Sequence, residues 1–231
     1  MFILELQKES RPQQFTPRGL RIYQKTGVIR IMTDANRILS SIKVSERRLK
    51  HTMGVAVCAK ELAKTHFPQL DLNMVELAAL MHDYTKEYSV EKQFELCEQY
   101  HIEITEEERL TPKLLHSKTA AAIASHHFGL PKDACSAIYY HTTGRADMTP
   151  FEIVIYLADY IEEFRDDPSC VKLREFYLKN LNRKCDKNAV LINTLVRSFD
   201  TTLKHLIDKG SLVDRNTIAA RNFYLRRLAE L

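Results

Sequence analysis

The sequence predicts an all-α protein, a helical bundle around one core. Three observations predict it. Apolar residues recur at three- and four-residue spacing through most of the chain, and only six glycines occur. Five of the seven prolines, Pro68, Pro112, Pro131, Pro150 and Pro168, stand where such a pattern has just ended or is about to begin. Proline is excluded from a helix beyond its first turn, so this distribution punctuates helices. No pair of alternating apolar segments joined by Asn-Gly or Asp-Gly marks a hairpin.

Taken in order, the periodicity predicts helices over 34–43, 46–66, 73–83, 90–100, 114–128, 132–141, 150–165, 170–181, 187–209 and 214–228. Ser45 and Ser89 stand before the second and fourth, where a short hydroxyl accepts from a first-turn amide. Gly129 and Gly210 follow the fifth and ninth, where a left-handed residue stops a helix. Residues 1–31 differ, because QQFTPRG and KTG break any period. They carry six Lys/Arg against Glu5 and Glu9, whereas residues 32–231 carry 28 charges of each sign. Two domains of unequal kind result. Residues 1–31 form a basic N-terminal extension, read either as loosely packed or over-long at a mis-set start, or as a functional arm. Residues 32–231, opening at Met32, form the main domain.

A neutral main domain does not call for a nucleic-acid surface, although the basic extension could touch anionic partners weakly. The 45% apolar and 28% charged shares fit a folded soluble chain. No apolar run approaches the roughly 20 residues that cross a bilayer, and no charged stub leads into an apolar signal core. A cytoplasmic location with no membrane partner is the expectation. Five cysteines without a CxxC pair (58, 97, 135, 170 and 185) read as free thiols, with Cys58 a small core residue.

The chemistry starts in LAALMHDYTKEY, residues 77–88, where a histidine and an aspartate end an apolar run. Val75, Ala78 and Ala79 precede His82 by seven, four and three residues, so His82 shares their inward stripe. The same test turns His51 inward with Val55, Cys58 and Leu62, His116 with Ala120, Ile123 and Ala124, and His141 with Ala134, Ala137 and Ile138. Asp159 is the one charged residue of IVIYLADYI. Any one such group is ordinarily a hydrogen-bonded core residue. Four imidazoles and two carboxylates in one core are satisfied together by a shared divalent cation, for which both are ligands. His66, in the last turn of its helix, suits the dipole as a partial positive charge. His127 lies too far from His116 to reach the same ion, and His101, His126 and His205 sit among polar neighbours.

The order His51, His82-Asp83, Asp159 resembles the H…HD…D signature of HD-domain metal-dependent phosphohydrolases, and His116 and His141 resemble the additional ligands of their two-metal branch. HDYTK (82–86), LLHSKTA (114–120), YHTTGRADMT (140–149) and IYLADYIEEFR (155–165) are similar to the bacterial YqeK family. The likeness runs from about Met32 to the C-terminus, so the extension is not part of it. The resemblance implies an HD-domain helical bundle that hydrolyses diadenosine tetraphosphate to two ADP through the bridging hydroxide of a two-metal site. It implies two divalent ions, iron favoured, with manganese or cobalt also suited. His51, His82, Asp83 and Asp159 would hold one ion, and His116 and His141 a second shared through Asp83. Asp83 would be catalytic in this sense. Lys86, which the HDxxK pattern keeps, would reach a substrate phosphate, or else pair on the surface with Glu87 or Glu91. Arg145, in a flexible HTTGR turn, would present a fork to phosphate, or else act as a capping or surface arginine. The partner is then a small dinucleotide; a homodimer is one arrangement the sequence leaves open.

Three other readings stay open at this point. Another HD-domain nucleotide phosphohydrolase, whether nucleotidase, dNTPase or guanosine-tetraphosphate hydrolase, uses the same ligands. An RNA- or ribosome-associated binding module would carry a structural metal, and a purely structural bundle would carry none.

Overall fold

The computed structural model describes residues 21–25, 28–32, 34–183 and 186–231. Among these, eleven α-helices follow one another: α1 (Asp34–Ser41), α2 (Glu46–His66), α3 (Leu72–Met81), α4 (Val90–Gln99), α5 (Glu106–Leu110), α6 (Leu115–Phe128), α7 (Lys132–Tyr140), α8 (Pro150–Ile161), α9 (Pro168–Asn182), α10 (Lys187–Asp208) and α11 (Arg215–Ala229). Ser45 and Ser89 cap α2 and α4 by accepting from Arg48 N and Lys92 N. Gly129 ends α6 at φ +67°, a left-handed conformation that glycine adopts without strain.

Fully buried alanines set the spacing of the central helices. Ala59 and Ala63 on α2, Ala78 and Ala79 on α3, Ala120 and Ala124 on α6, and Ala134 and Ala137 on α7 all have 0% exposure. Small side chains at the contacts let helix axes come close. Side chains rooted on different helices can therefore meet at one point. Larger residues, Leu77, Ile138, Ile155 and Leu157, fill the remaining core, and Phe199 of α10 stacks on Tyr156 of α8 at 4.8 Å.

The structure departs from the sequence expectations in four places. Strands β1 (Arg21–Lys25) and β2 (Val28–Met32) pair antiparallel, Arg21 opposite Met32, adding a two-stranded ribbon before the helical domain. The sequence between the strands is not the Asn-Gly or Asp-Gly pair that announces a hairpin, though Ile22, Val28, Ile29 and Ile31 are β-branched. Residues 1–20 lie outside the described residues, so the reading of a loose extension or functional arm there does too. The short α5 was not expected; a capping box of Thr105 and Glu108 starts it. α3 stops at Met81, with residues 82–88 in successive turns such as Lys86 N to Asp83 O at 3.0 Å. α8 stops at Ile161 rather than 165, because Glu162 turns extended (ψ 155°) and its carboxylate takes Phe164 N at 2.6 Å.

Candidate metal centre

The six candidate side chains come together. His51 projects from the first third of α2, His82 and Asp83 from the end of α3, His116 from the first turn of α6, His141 from the end of α7 and Asp159 from α8. On one side, His51 Nε2 is 3.0 Å from Asp159 Oδ1 and 3.7 Å from Asp83 Oδ2, while His82 Nε2 is 3.6 Å and 3.4 Å from the same oxygens. On the other, Asp83 Oδ1 is 3.1 Å from His116 Nε2 and 3.5 Å from His141 Nε2. Asp83 thus stands between two groups of donors, one oxygen toward each.

The orientation of the imidazoles follows from their other nitrogen. Nδ1 of His82 lies 2.6 Å from Ala79 O, that of His116 2.6 Å from Lys113 O, and that of His141 2.7 Å from Ile138 O. A carbonyl only accepts, so each Nδ1 carries the proton, and each ring, when neutral, presents a lone pair at Nε2. Nδ1 of His51 faces Glu162 Oε1 at 3.0 Å. His116 Nε2 and His141 Nε2 then lie 3.2 Å apart with lone pair facing lone pair, and Asp83 Oδ1 adds a third. His51 Nε2, His82 Nε2 and Asp83 Oδ1 are buried without a hydrogen-bond partner among the described residues. Buried lone pairs converging in this way are costly unless a cation lies among them. The donor set suits a divalent transition metal, and His51, His82 and Asp159, or His82, Asp83 and His141, are near enough together to share one ion.

The local electrostatics point the same way. Burial disfavours a charged His82, but Asp83 and Asp159 outweigh it and raise this histidine to about 10, so the spot demands positive charge. Burial also works against ionised Asp83; the charges of His82 and Lys86 prevail and hold its carboxyl well below the usual range. Asp159 is likewise held low against burial, chiefly by Arg165. His116 is pushed down to about 4 by burial and by Lys86, and burial lowers His141 too.

Residues 48–163, spanning the whole cluster, match the model of the HD domain. The chain belongs to the HD-domain family. It is 32% identical over 187 residues to a symmetrical bis(5′-nucleosyl)-tetraphosphatase of Staphylococcus aureus, covering 80% of this chain and 91% of that one. A protein of the same name from Bacillus subtilis is 32% identical over 184 residues, 78% of this chain and 91% of that one. A crystal structure of a predicted HD superfamily hydrolase involved in NAD metabolism, from Clostridium acetobutylicum, superposes with a TM-score of 0.73 at 34% identity. It covers 83% of this chain and 97% of its own.

Around this HD centre stand cations the sequence reading treated unevenly. Lys86 does not pair with Glu87 or Glu91; its Nζ lies 3.1 Å from His116 Nε2 and 3.6 Å from Asp83 Oδ1, with the side chain one-third exposed. Arg145 is committed elsewhere: its fork holds buried Glu152, Nη2 to Oε2 at 2.8 Å and Nε to Oε1 at 3.1 Å. Nor is its turn loose. Thr217 Oγ1 donates to Thr143 O at 3.1 Å, and Gly144, at φ +63°, is so close beneath Phe199 that a Cβ would meet its ring at 2.7 Å.

Arg48, Arg165 and Glu162 went unremarked in the sequence. Arg48 Nη1 donates to Asp83 Oδ2 and Arg165 Nη2 to Asp159 Oδ1, each at 2.6 Å. Arg48 precedes His51 by one helical turn, a spacing that could have revealed it.

The other histidines serve different ends. His66 is not charged at its helix end: burial pushes it down to about 4, and Nε2 meets the Tyr177 hydroxyl at 2.9 Å. His101, His126, His127 and His205 are exposed, with His126 stacked on Tyr100. Cys58, Cys97, Cys135 and Cys170 are free thiols, and burial pushes Cys58 up to about 12.

Proposed function

We propose that this protein is a metal-dependent hydrolase that cuts diadenosine tetraphosphate symmetrically into two ADP. The observation that carries the reading is Asp83, one oxygen toward His51 and His82 and the other toward the opposed lone pairs of His116 and His141. Support for the substrate comes from relatives named symmetrical tetraphosphatases along 78% or more of the chain. His51, His82, Asp83 and Asp159 would hold one divalent cation, and Asp83, His116 and His141 a second; iron is favoured, and manganese or cobalt suit the same donors. Such ions would lower the pKa of a bound water and neutralise charge on the attacked phosphoryl group.

The rest is the work of the chain. The backbone carbonyls behind His82, His116 and His141 keep each Nε2 free to ligate. Lys86 and Arg48, both partly exposed at the cluster, hold phosphate oxygens of the entering substrate. The main domain is neutral, so attraction of a polyanion is local to this spot. Arg145 remains a candidate phosphate contact only if substrate draws it from Glu152. The location is cytoplasmic in this reading, and among the described residues no helix is long and apolar enough to cross a membrane.

The test is an anaerobic assay of purified protein on diadenosine tetraphosphate, read as ADP against AMP plus ATP. ADP alone is expected. Unequal products sink the symmetrical reading, and hydrolysis by a chelator-stripped protein sinks the metal assignment. The NAD-related description of the Clostridium neighbour favours a second reading, another nucleotide phosphohydrolase on the same ligands. A nucleotide panel separates the two.

A further inference from the structure

Three of the four cluster imidazoles are anchored by backbone carbonyls, but His51 is anchored by a side chain. Glu162 Oε1 lies 3.0 Å from His51 Nδ1, and its other oxygen accepts Phe164 N at 2.6 Å. Glu162 is 1% exposed, its own N–H donates to Ala158 O at 3.0 Å, and its carbonyl accepts from Arg174 Nη1. The carboxylate is fixed at every polar atom. It is also the reason α8 ends where it does.

Room for it is made on α2. Gly54 lies one turn beyond His51, in the interior of a 21-residue helix where glycine is a poor former. Its φ is not positive, so conformation does not demand glycine there. Space does: a Cβ at 54 would lie 2.2 Å from Glu162 Oε2 and 2.8 Å from Phe164 Cδ2. Any side chain at 54 would push Glu162 off His51.

We infer that Glu162, admitted by Gly54, is the positioning residue of His51: it holds the proton on Nδ1, aims Nε2 at the cluster and strengthens it as a donor. Carboxylates behind a ligating imidazole act in this way in metal sites generally. The role rests on the metal-site reading above and goes beyond it in assigning two residues that touch neither ion nor substrate. It also makes the halves of the cluster separable, since Glu162 serves only the half containing His51.

The test is a titration of the metal-free protein with Co2+, followed by the visible absorption of the bound ion and by Co2+ per chain. Wild type is expected to take two equivalents. Glu162→Leu is expected to bind one of them about 10- to 100-fold more weakly and leave the other unchanged. Gly54→Ala should reproduce that loss with Glu162 intact, and Glu162→Gln, which keeps one acceptor oxygen, should fall between. Folding is checked by circular dichroism; if the leucine variant is unstable, the glutamine and alanine variants carry the test. Two equivalents at wild-type affinity in folded Glu162→Leu or Gly54→Ala overturn the inference. Failure of wild type to bind Co2+ overturns instead the metal reading beneath it.

Discussion

The two sides of Asp83 are built differently. Toward Oδ2 stand two imidazoles and a second carboxylate, Asp159, with Arg48 and Arg165 each 2.6 Å from a carboxylate oxygen. Toward Oδ1 stand two imidazoles, with Lys86 and the Thr142 hydroxyl beside them. The first side has two negative charges to offer a cation and sets arginines against them. The second has a shared half of one charge and two opposed lone pairs. The difference teaches that a single aspartate couples a charge-rich site to a charge-poor one, and that the two should not bind cations equally well.

The largest effect on that comparison should come from Asp83→Ala, which strips a ligand from both sides. Metal content is expected to fall from two ions per chain to below one, and turnover of diadenosine tetraphosphate by on the order of a thousandfold. Two ions retained in Asp83→Ala would abolish the bridging role. A smaller and one-sided loss is expected of His141→Ala, which removes a ligand from one side: about one ion per chain remains, and affinity for the other falls by more than in Glu162→Leu. Metal analysis of the purified variant decides this, and equal loss of both ions would mean the sides are not independent.

Lys86 and Arg145 sharpen the comparison further, because one faces the charge-poor side and the other faces Glu152. Lys86→Ala is expected to raise KM for the tetraphosphate several-fold while Tm hardly moves. Arg145→Ala should do the reverse: it leaves a buried carboxylate short of a partner, costing about 1–2 kcal/mol of stability by denaturant titration. A rise in KM without loss of stability in Arg145→Ala would restore that arginine to the substrate.

The smallest effect lies at the far end of α2. His66 titrates near its ordinary 6.5 when unfolded and at about 4 when folded, so the unfolded chain binds its proton first as pH falls. Its contribution is present above about 6.5 and lost between there and about 4. Replacing His66 by Gln should flatten that part of the stability curve, whereas an unchanged slope would show that His66 is as exposed as the surface histidines.

Much of the site was legible because it sits on periodic helices. Counting back three, four and seven residues from His82 and His141, and forward four and seven from His51 and His116, finds apolar neighbours, and a helix translates that spacing into an inward face. The cap signals Ser45, Ser89 and Gly129 were readable for the same local reason. The Thr105–Glu108 capping box was equally local but opens a helix of five residues, too short to show a period. Glu162 was hidden for the opposite reason. The run IYLADYIEEFR continues as a helix by pattern, and only the packing of α8 against α2 at Gly54 turns residue 162 out of it.

The sequence by itself determined all the longer helices and which of their faces carry imidazole and carboxylate, since both depend on neighbours within a turn or two along the chain. Tertiary structure alone decided that six groups from five helices meet around Asp83, that Glu162 stands behind His51, and that Arg145 turns to Glu152 rather than outward. Those contacts join residues up to 111 positions apart, and only helix packing at buried alanines brings them within reach.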